Sequence, residues 1–162
     1  FPKLNSKILK ISYCIDLGKI NSKLKKNVIT YSSRKLPQQS NLLISYLKPN
    51  LPKKWTLQNL HNLSNKEFIT SIKRSKIFLS FSYLEGLGLP PIEAALAGNQ
   101  VIGYTGEGGN EYWKKPLFTK INFGEITKFI KTIIERIHKD NLKKNYSKKQ
   151  FIKLKKKYSK EN

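Results

Sequence analysis

The chain has 162 residues and a formal net charge of +22, from 32 Lys+Arg against 10 Asp+Glu, with one cysteine and no methionine. That length fits one domain with a core of its own and excludes two full domains. A lone Cys14 excludes an internal disulfide, and no run of residues reads as a membrane span or a signal peptide, so the expected setting is reducing and cytoplasmic, with peripheral contact to an anionic membrane through the lysines as a further expectation.

In chain order, Leu9, Ile11, Tyr13 and Ile15 alternate with Lys10, Ser12 and Cys14, the period of a strand. Asn27 to Tyr31 reads as a buried strand. Pro37 opens a helix with Leu42, Leu43, Tyr46 and Leu47 on one face, and Pro49 and Pro52 end it. Trp55 to Leu60 is a second strand. Ser64 and Glu67 make a capping box for a helix reaching about Arg74, with Phe68, Ile69 and Ile72 inward. Ile77 to Phe81 is a short apolar strand, Leu89 to Ala97 a helix with prolines in its first turn, and Gln100 to Gly103 a strand. A strand at Phe118 to Ile121 follows. A helix then runs from Glu125 to about Leu142, with Ile126, Phe129, Ile130, Ile133, Ile134 and Ile137 on one face. The lysine-rich tail carries only a thin stripe of Phe151, Leu154 and Tyr158 and reads as a marginal helix.

Short apolar strands alternating with amphipathic helices predict an α/β fold, a doubly wound and mostly parallel sheet. Ligands bind such sheets at the carboxyl ends of the strands. The expected division is 1–25 as a linker or the end of an N-terminal domain not included in this chain, 26–144 as a ligand-binding domain, and 145–162 as a basic tail. The chain starts at Phe1 and lacks methionine, so it is expected to be a fragment.

The charge itself carries little function. Only Arg34, Arg74 and Arg136 are arginines, the residue that reads bases and phosphates bidentately. Lysine accompanied by many asparagines and isoleucines reads as codon composition acting on solvated positions, which argues against specific nucleic-acid recognition. One window escapes this bias. Ile77 to Trp113 holds no lysine or arginine, yet it has seven of the nine glycines and four of the eight glutamates. Burial, or a ligand cleft formed by close backbone approach, excludes long cationic side chains.

Several motifs are absent. Gly86 and Gly88 lack the third glycine of a dinucleotide fingerprint, because Pro91 stands there; Gly106 and Gly108 lack it because Glu111 does. There is no Gly-Lys-Ser/Thr phosphate loop. Asp16 and Asp140 are the only aspartates and lie far apart, so no paired-aspartate metal site is expected. His61 and His138 read as structural or solvated. What remains is the string from Phe81 to Ala95, in which a strand ends, Glu85 enters the loop, Gly86 and Gly88 let the backbone turn, and a helix begins near Leu89. The amides at that helix start suit a diphosphate. Glu93, one turn in, can accept the hydroxyls of a ribose. Taken singly, each glutamate equally suits a capped helix with a favourable charge near its positive end.

The whole string resembles the signature of the retaining, GT-B-type glycosyltransferases of group 1: Glu, seven residues, Glu, within Glu-Gly-Phe-Gly-Leu-Pro-x-x-Glu-Ala. Glu85, Gly86, Gly88, Leu89, Pro90, Glu93 and Ala94 match, with Leu87 in the usual Phe place. Gly98, Val101 and Ile102 match the family's next strand, and Gly108-Gly109-Asn110-Glu111 resembles its Gly-Gly-x-x-Glu loop. The resemblance is strong over 77–111 and in register from about 27 to 142. It implies the Rossmann-like C-terminal domain of a GT-B enzyme, acting on a nucleotide diphosphate-sugar with retention and with no cofactor or metal. It further implies Glu93 on the donor ribose and Glu85 on the donor sugar as the catalytic candidate. Gly86, Leu87, Gly88 and Leu89 then contact the donor, and Gly108, Gly109 and Glu111 form a cleft loop. Arg34 falls where the family puts a diphosphate-binding arginine. The family's later lysine is Gln39 here, which leaves Lys35 as its substitute. A separate N-terminal domain would hold the acceptor, whether sugar, lipid or protein. Two other readings remain: a nucleotide-sugar-binding remnant without turnover, and a basic nucleic-acid-binding domain marked by sequence preference that survives high salt.

Overall fold

The computed structural model describes residues 13–21, 24–138 and 148–159. Five strands and five helices follow in order: β1 (Val28–Tyr31), α1 (Pro37–Leu47), β2 (Thr56–Asn59), α2 (Asn65–Arg74), β3 (Ile77–Ser80), α3 (Leu89–Leu96), β4 (Gln100–Gly103), β5 (Phe118–Lys120), α4 (Ile126–His138) and α5 (Lys148–Tyr158). All neighbouring strands pair in parallel, in the order β2-β1-β3-β4-β5. This is the doubly wound α/β sheet that the strand and helix periods predict.

The two faces of the sheet explain the composition of its strands. Every residue of β3 and β4 is buried, so neither strand carries a solvent-facing polar row. Phe78 and Val101 join one core with Ile72 of α2 and Ile92 and Leu96 of α3. Ile77, Leu79 and Ile102 join the other, with Leu43 and Leu47 of α1 and Phe129, Ile133 and Ile137 of α4. Helices therefore cover both faces, and burial at β3 and β4 accounts for the missing lysines there. At α2 the capping box forms as its sequence requires. The Ser64 hydroxyl accepts from the Glu67 amide at 3.3 Å, and the Glu67 carboxylate accepts from the Ser64 amide at 2.8 Å.

Several details differ from the sequence reading. In α1 the inward residues are Ser40, Leu43 and Leu47, while Leu42 and Tyr46 are exposed. Five apolar residues crowd positions 42–47, so two faces compete, and the face on α4 wins. The strand proposed over 9–15 falls mostly outside the described residues. Within them, Ile15 makes only a single bridge, to Ser159. The end of the last periodic helix, beyond His138, also lies outside them. In α5, Leu154 and Tyr158 are buried in the core shared with α3. The tail's thin stripe is thus a docked face. No helix among the described residues is long and apolar enough to cross a membrane.

Candidate functional site

The strand order places the topological switch between β1 and β3. From β1 the chain moves outward to β2, then returns across β1 to β3 and onward to β4 and β5. The loops leaving β1 and β3 at their carboxyl ends therefore diverge and open a crevice. Ser32, Arg34 and Lys35 come from the first loop, Ser82 and Glu85 from the second, and Pro90 and Pro91 from the start of α3; all seven line one hollow there. The hollow measures about 50 Å³, against roughly 300–1,000 Å³ for a small-molecule pocket. By itself it is too small to enclose such a ligand.

Glu85 is the focus of this hollow. Lys35 donates to its Oε1, and the Ser82 hydroxyl donates to its Oε2 at 2.7 Å. Partial burial disfavours the Glu85 charge, but the hydrogen bonds from Lys35 and Ser82, with the charges of Lys35 and Arg34, outweigh it and hold the carboxyl below its ordinary range. Lys35 and Glu85 lie 50 positions apart in sequence, so only the parallel pairing of β1 with β3 brings them together. Arg34 is exposed on the same rim.

The glycines around Glu85 serve close backbone approach. The Glu85 amide donates to the Gly106 carbonyl at 2.9 Å, and the Gly108 amide donates to the Glu85 carbonyl at 3.1 Å. A Cβ on Gly108 would stand 2.1 Å from the Gly86 carbonyl oxygen. The loop after β4 is thus zipped onto the loop after β3, and Gly108 is tied to the Glu85 segment. Gly88 caps α3 with φ +71, a left-handed conformation that costs a side chain little only when it is glycine. Its carbonyl and that of Leu87 share the Tyr112 hydroxyl as donor, at 2.9 and 2.8 Å.

The start of α3 departs from expectation. Leu89 is its first residue, but Pro90 and Pro91 follow and have no N–H. The N–H donors that the first turn could offer an anion reduce to the amides of Gly88 and Leu89. Glu93 sits four residues past Leu89, about 6 Å along the axis. It is half-buried, and its carboxylate has no hydrogen-bond partner among the described residues. Burial raises its pKa above the ordinary carboxylate value. Glu93 does not line the 50 Å³ hollow. Glu111 turns elsewhere: its carboxylate accepts from Tyr158 Oη at 2.6 Å and from Lys157 Nζ at 3.0 Å, which ties the second glycine loop to α5. Gly109 is buried beside Tyr112 and Trp113. Both His61 and His138 are exposed.

The fold has a solved counterpart. A chain of the structure described as "Crystal structure of GtfA/B complex" matches at a TM-score of 0.64 and 15% sequence identity, covering 91% of this chain and 36% of that one. At this identity the likeness is one of fold: a Rossmann-type α/β domain spanning about a third of the neighbour's length. No protein-family model matches the sequence, and no curated protein does.

Three residues that hold the hollow or its neighbouring loops escape sequence reasoning: Ser82 on Glu85, Tyr112 on the Gly88 turn and Tyr158 on Glu111. Ser82, three residues before a glutamate, carries a weak local signal. The two tyrosines carry none, since their partners lie 24 to 47 positions away.

Proposed function

We propose that this chain is the donor-binding domain of a retaining, GT-B-type glycosyltransferase of group 1, acting on a nucleotide diphosphate-sugar without a metal ion. The observation that carries the reading is the meeting of Arg34, Lys35 and Glu85 at the switch between β1 and β3, beside the glycine turn that opens α3. Two cations and two free amides suit a diphosphate. Glu85, already ionised and oriented by Ser82, suits the hydroxyls and the developing positive charge of the donor sugar. Glu93, whose carboxylate lacks a protein partner, suits the two hydroxyls of a ribose about one helical turn away. The fold match to a chain of the GtfA/B complex supports the same class.

In this reading Lys35 has two partners in turn. In the empty site it holds Glu85; with donor bound it shares the diphosphate with Arg34, and Glu85 is released toward the sugar. A second wall, supplied by a further domain, completes the cleft and closes over the acceptor. Leaving-group charge falls on Arg34, Lys35 and the helix start, so chelator leaves donor binding unchanged. The test is calorimetric titration of the chain with UDP, GDP, ADP and dTDP. One of them is expected to bind, and Arg34→Gln is expected to weaken it about tenfold or more. Binding of none of the four, or equal affinity in Arg34→Gln, sinks the reading.

A further inference from the structure

The carboxyl edge of the sheet carries a second feature beyond the Glu85 hollow. Tyr83, Leu84 and Phe123 are 60%, 74% and 49% exposed. Single exposed apolar residues are ordinary, but Tyr83, from the loop after β3, and Phe123, from the loop after β5, meet. The Tyr83 and Phe123 rings lie 4.6 Å apart at 55°. Phe123 rests in turn on Tyr104, 5.4 Å away, and Tyr104 is buried against Phe129 at 5.5 Å. The pair is therefore anchored from below while presenting open ring surface above.

We propose that Tyr83 and Phe123 form a stacking platform for an uncharged pyranose ring of the acceptor, an inference that rests on glycosyl transfer at the Glu85 hollow. Direction comes from topology. The cations leave β1, Glu85 leaves β3, Tyr104 leaves β4 and Phe123 leaves β5, in that spatial order. Neighbouring strands lie about 4.8 Å apart, so the edge from β1 to β5 spans about 14 Å. A donor with its diphosphate over β1 and its sugar at Glu85 puts the next ring over β4 and β5. The chemistry of the occupant comes from charge. In a chain of net charge +22, segments 77–113 and 121–127 carry no lysine or arginine. The flanking Lys120 and Lys128 are engaged with Asn110 and Glu125. A lipid headgroup or a nucleic acid needs cations; those of this edge, Arg34 and Lys35, stand at its β1 end, and the segments that carry Tyr83 and Phe123 have none. A pyranose needs none: its axial C–H bonds lie against the negative face of an aromatic ring, and its hydroxyls face water and nearby polar groups.

The test is saturation-transfer NMR on the full chain with methyl β-D-glucopyranoside and methyl α-D-mannopyranoside. Wild type is expected to transfer magnetisation to ring C–H protons of at least one glycoside. Tyr83→Ser and Phe123→Ser should cut that transfer about threefold or more, and Tyr46→Ser, at an exposed tyrosine on α1, should leave it intact. Nucleotide diphosphate and nucleotide-sugar affinities, titrated in parallel, should be the same in wild type and all three variants, which also shows that the variants fold. No transfer in wild type, or equal transfer in Tyr83→Ser and Phe123→Ser, overturns the platform while leaving the donor reading intact. A fall in nucleotide-sugar affinity in those variants overturns it in favour of the donor's own sugar. Loss of co-sedimentation with phosphatidylglycerol vesicles in the same two variants overturns it in favour of a membrane contact. Failure of any nucleotide diphosphate to bind wild type removes the donor reading and the platform with it.

Discussion

Tyr112 links the interior of the domain to the turn that opens α3, and Tyr112→Phe removes only one oxygen atom. The ring keeps its packing on Phe118 at 5.2 Å and on Tyr158 at 6.2 Å. What disappears is the donor shared by the Leu87 and Gly88 carbonyls. Tyr112 is only 7% exposed, so water does not freely replace the hydroxyl. A buried acceptor left without its donor costs about 1–3 kcal/mol, and for a chain of this size each kcal/mol lowers Tm by about 2–4 °C. The expected loss is therefore about 1–3 kcal/mol, read by urea unfolding with the buried Trp55 and Trp113 as fluorescent reporters. Because the turn also aims the Gly88 and Leu89 amides, nucleotide diphosphate affinity should fall about threefold or more. Burial pushes the Tyr112 hydroxyl well above the ordinary tyrosine range. It stays protonated at neutral and mildly basic pH, and the difference between wild type and variant should be constant from about pH 6 to about pH 9. Tyr13→Phe, at an exposed tyrosine, serves as the control. A loss below about 0.3 kcal/mol, or a difference that vanishes toward pH 9, would show that the hydroxyl is solvated and does not hold the turn.

Other outcomes follow from the same geometry. Gly108→Ala should destabilise by about 2 kcal/mol or more, since its Cβ would meet the Gly86 carbonyl oxygen, whereas Gly86→Ala, whose Cβ meets nothing within 4 Å, should change stability by less than about 0.5 kcal/mol; equal effects in urea unfolding would refute the zipped loops. Glu85 has a folded pKa below its unfolded value, so its contribution is present above the ordinary carboxylate pKa and lost as pH falls through the folded one. The stability gap between wild type and Glu85→Gln should therefore shrink as pH falls from about 6 to about 3; a gap that widens contradicts the assigned ion pair. Leu154→Ala should cost about 2–4 kcal/mol by chemical denaturation, because Leu154 is buried in the core with α3; a value near zero would return α5 to the status of a loose tail.

Most of the fold is legible because its signals are local. The run Ile77 to Ser80 has no polar residue before its last position and reads as a buried strand. The Ser64 and Glu67 pair declares its own helix start, and the period from Ile126 to Ile137 leaves α4 one possible face. The reading fails where local patterns are degenerate. In α1 the apolar residues 42, 43, 44, 46 and 47 wrap more than half the helix, so only the packing against α4 selects Leu43 and Leu47. In α5 a stripe of three apolar residues looks too thin for a core, but the hydrogen bond from the Tyr158 hydroxyl to Glu111 and the backbone bond from Ile15 to Tyr158 add anchors that no helical period reveals. The site divides the same way. Glu85 and the glycine turn of Gly86 and Gly88 stand in one contiguous string and are legible as candidates, whereas Glu93, in the same string, does not line the hollow. That Lys35 reaches Glu85, that Glu111 turns to α5, and that Tyr112 holds the Gly88 turn all depend on pairings across 24 to 50 residues.

Titration of wild type, Glu93→Gln and Glu85→Gln with one nucleotide diphosphate, with and without its sugar, tests the proposed donor site most directly. A charge-assisted hydrogen bond is worth about 1.5–3 kcal/mol, so Glu93→Gln should bind the bare nucleotide diphosphate about tenfold or more weakly, at a stability change of about 0.3–1 kcal/mol. Glu85→Gln should leave the bare nucleotide diphosphate nearly unaffected and weaken the intact nucleotide sugar by a similar factor. Equal affinity of wild type and Glu93→Gln for the nucleotide diphosphate, or equal effects of Glu85→Gln on both ligands, would contradict the account.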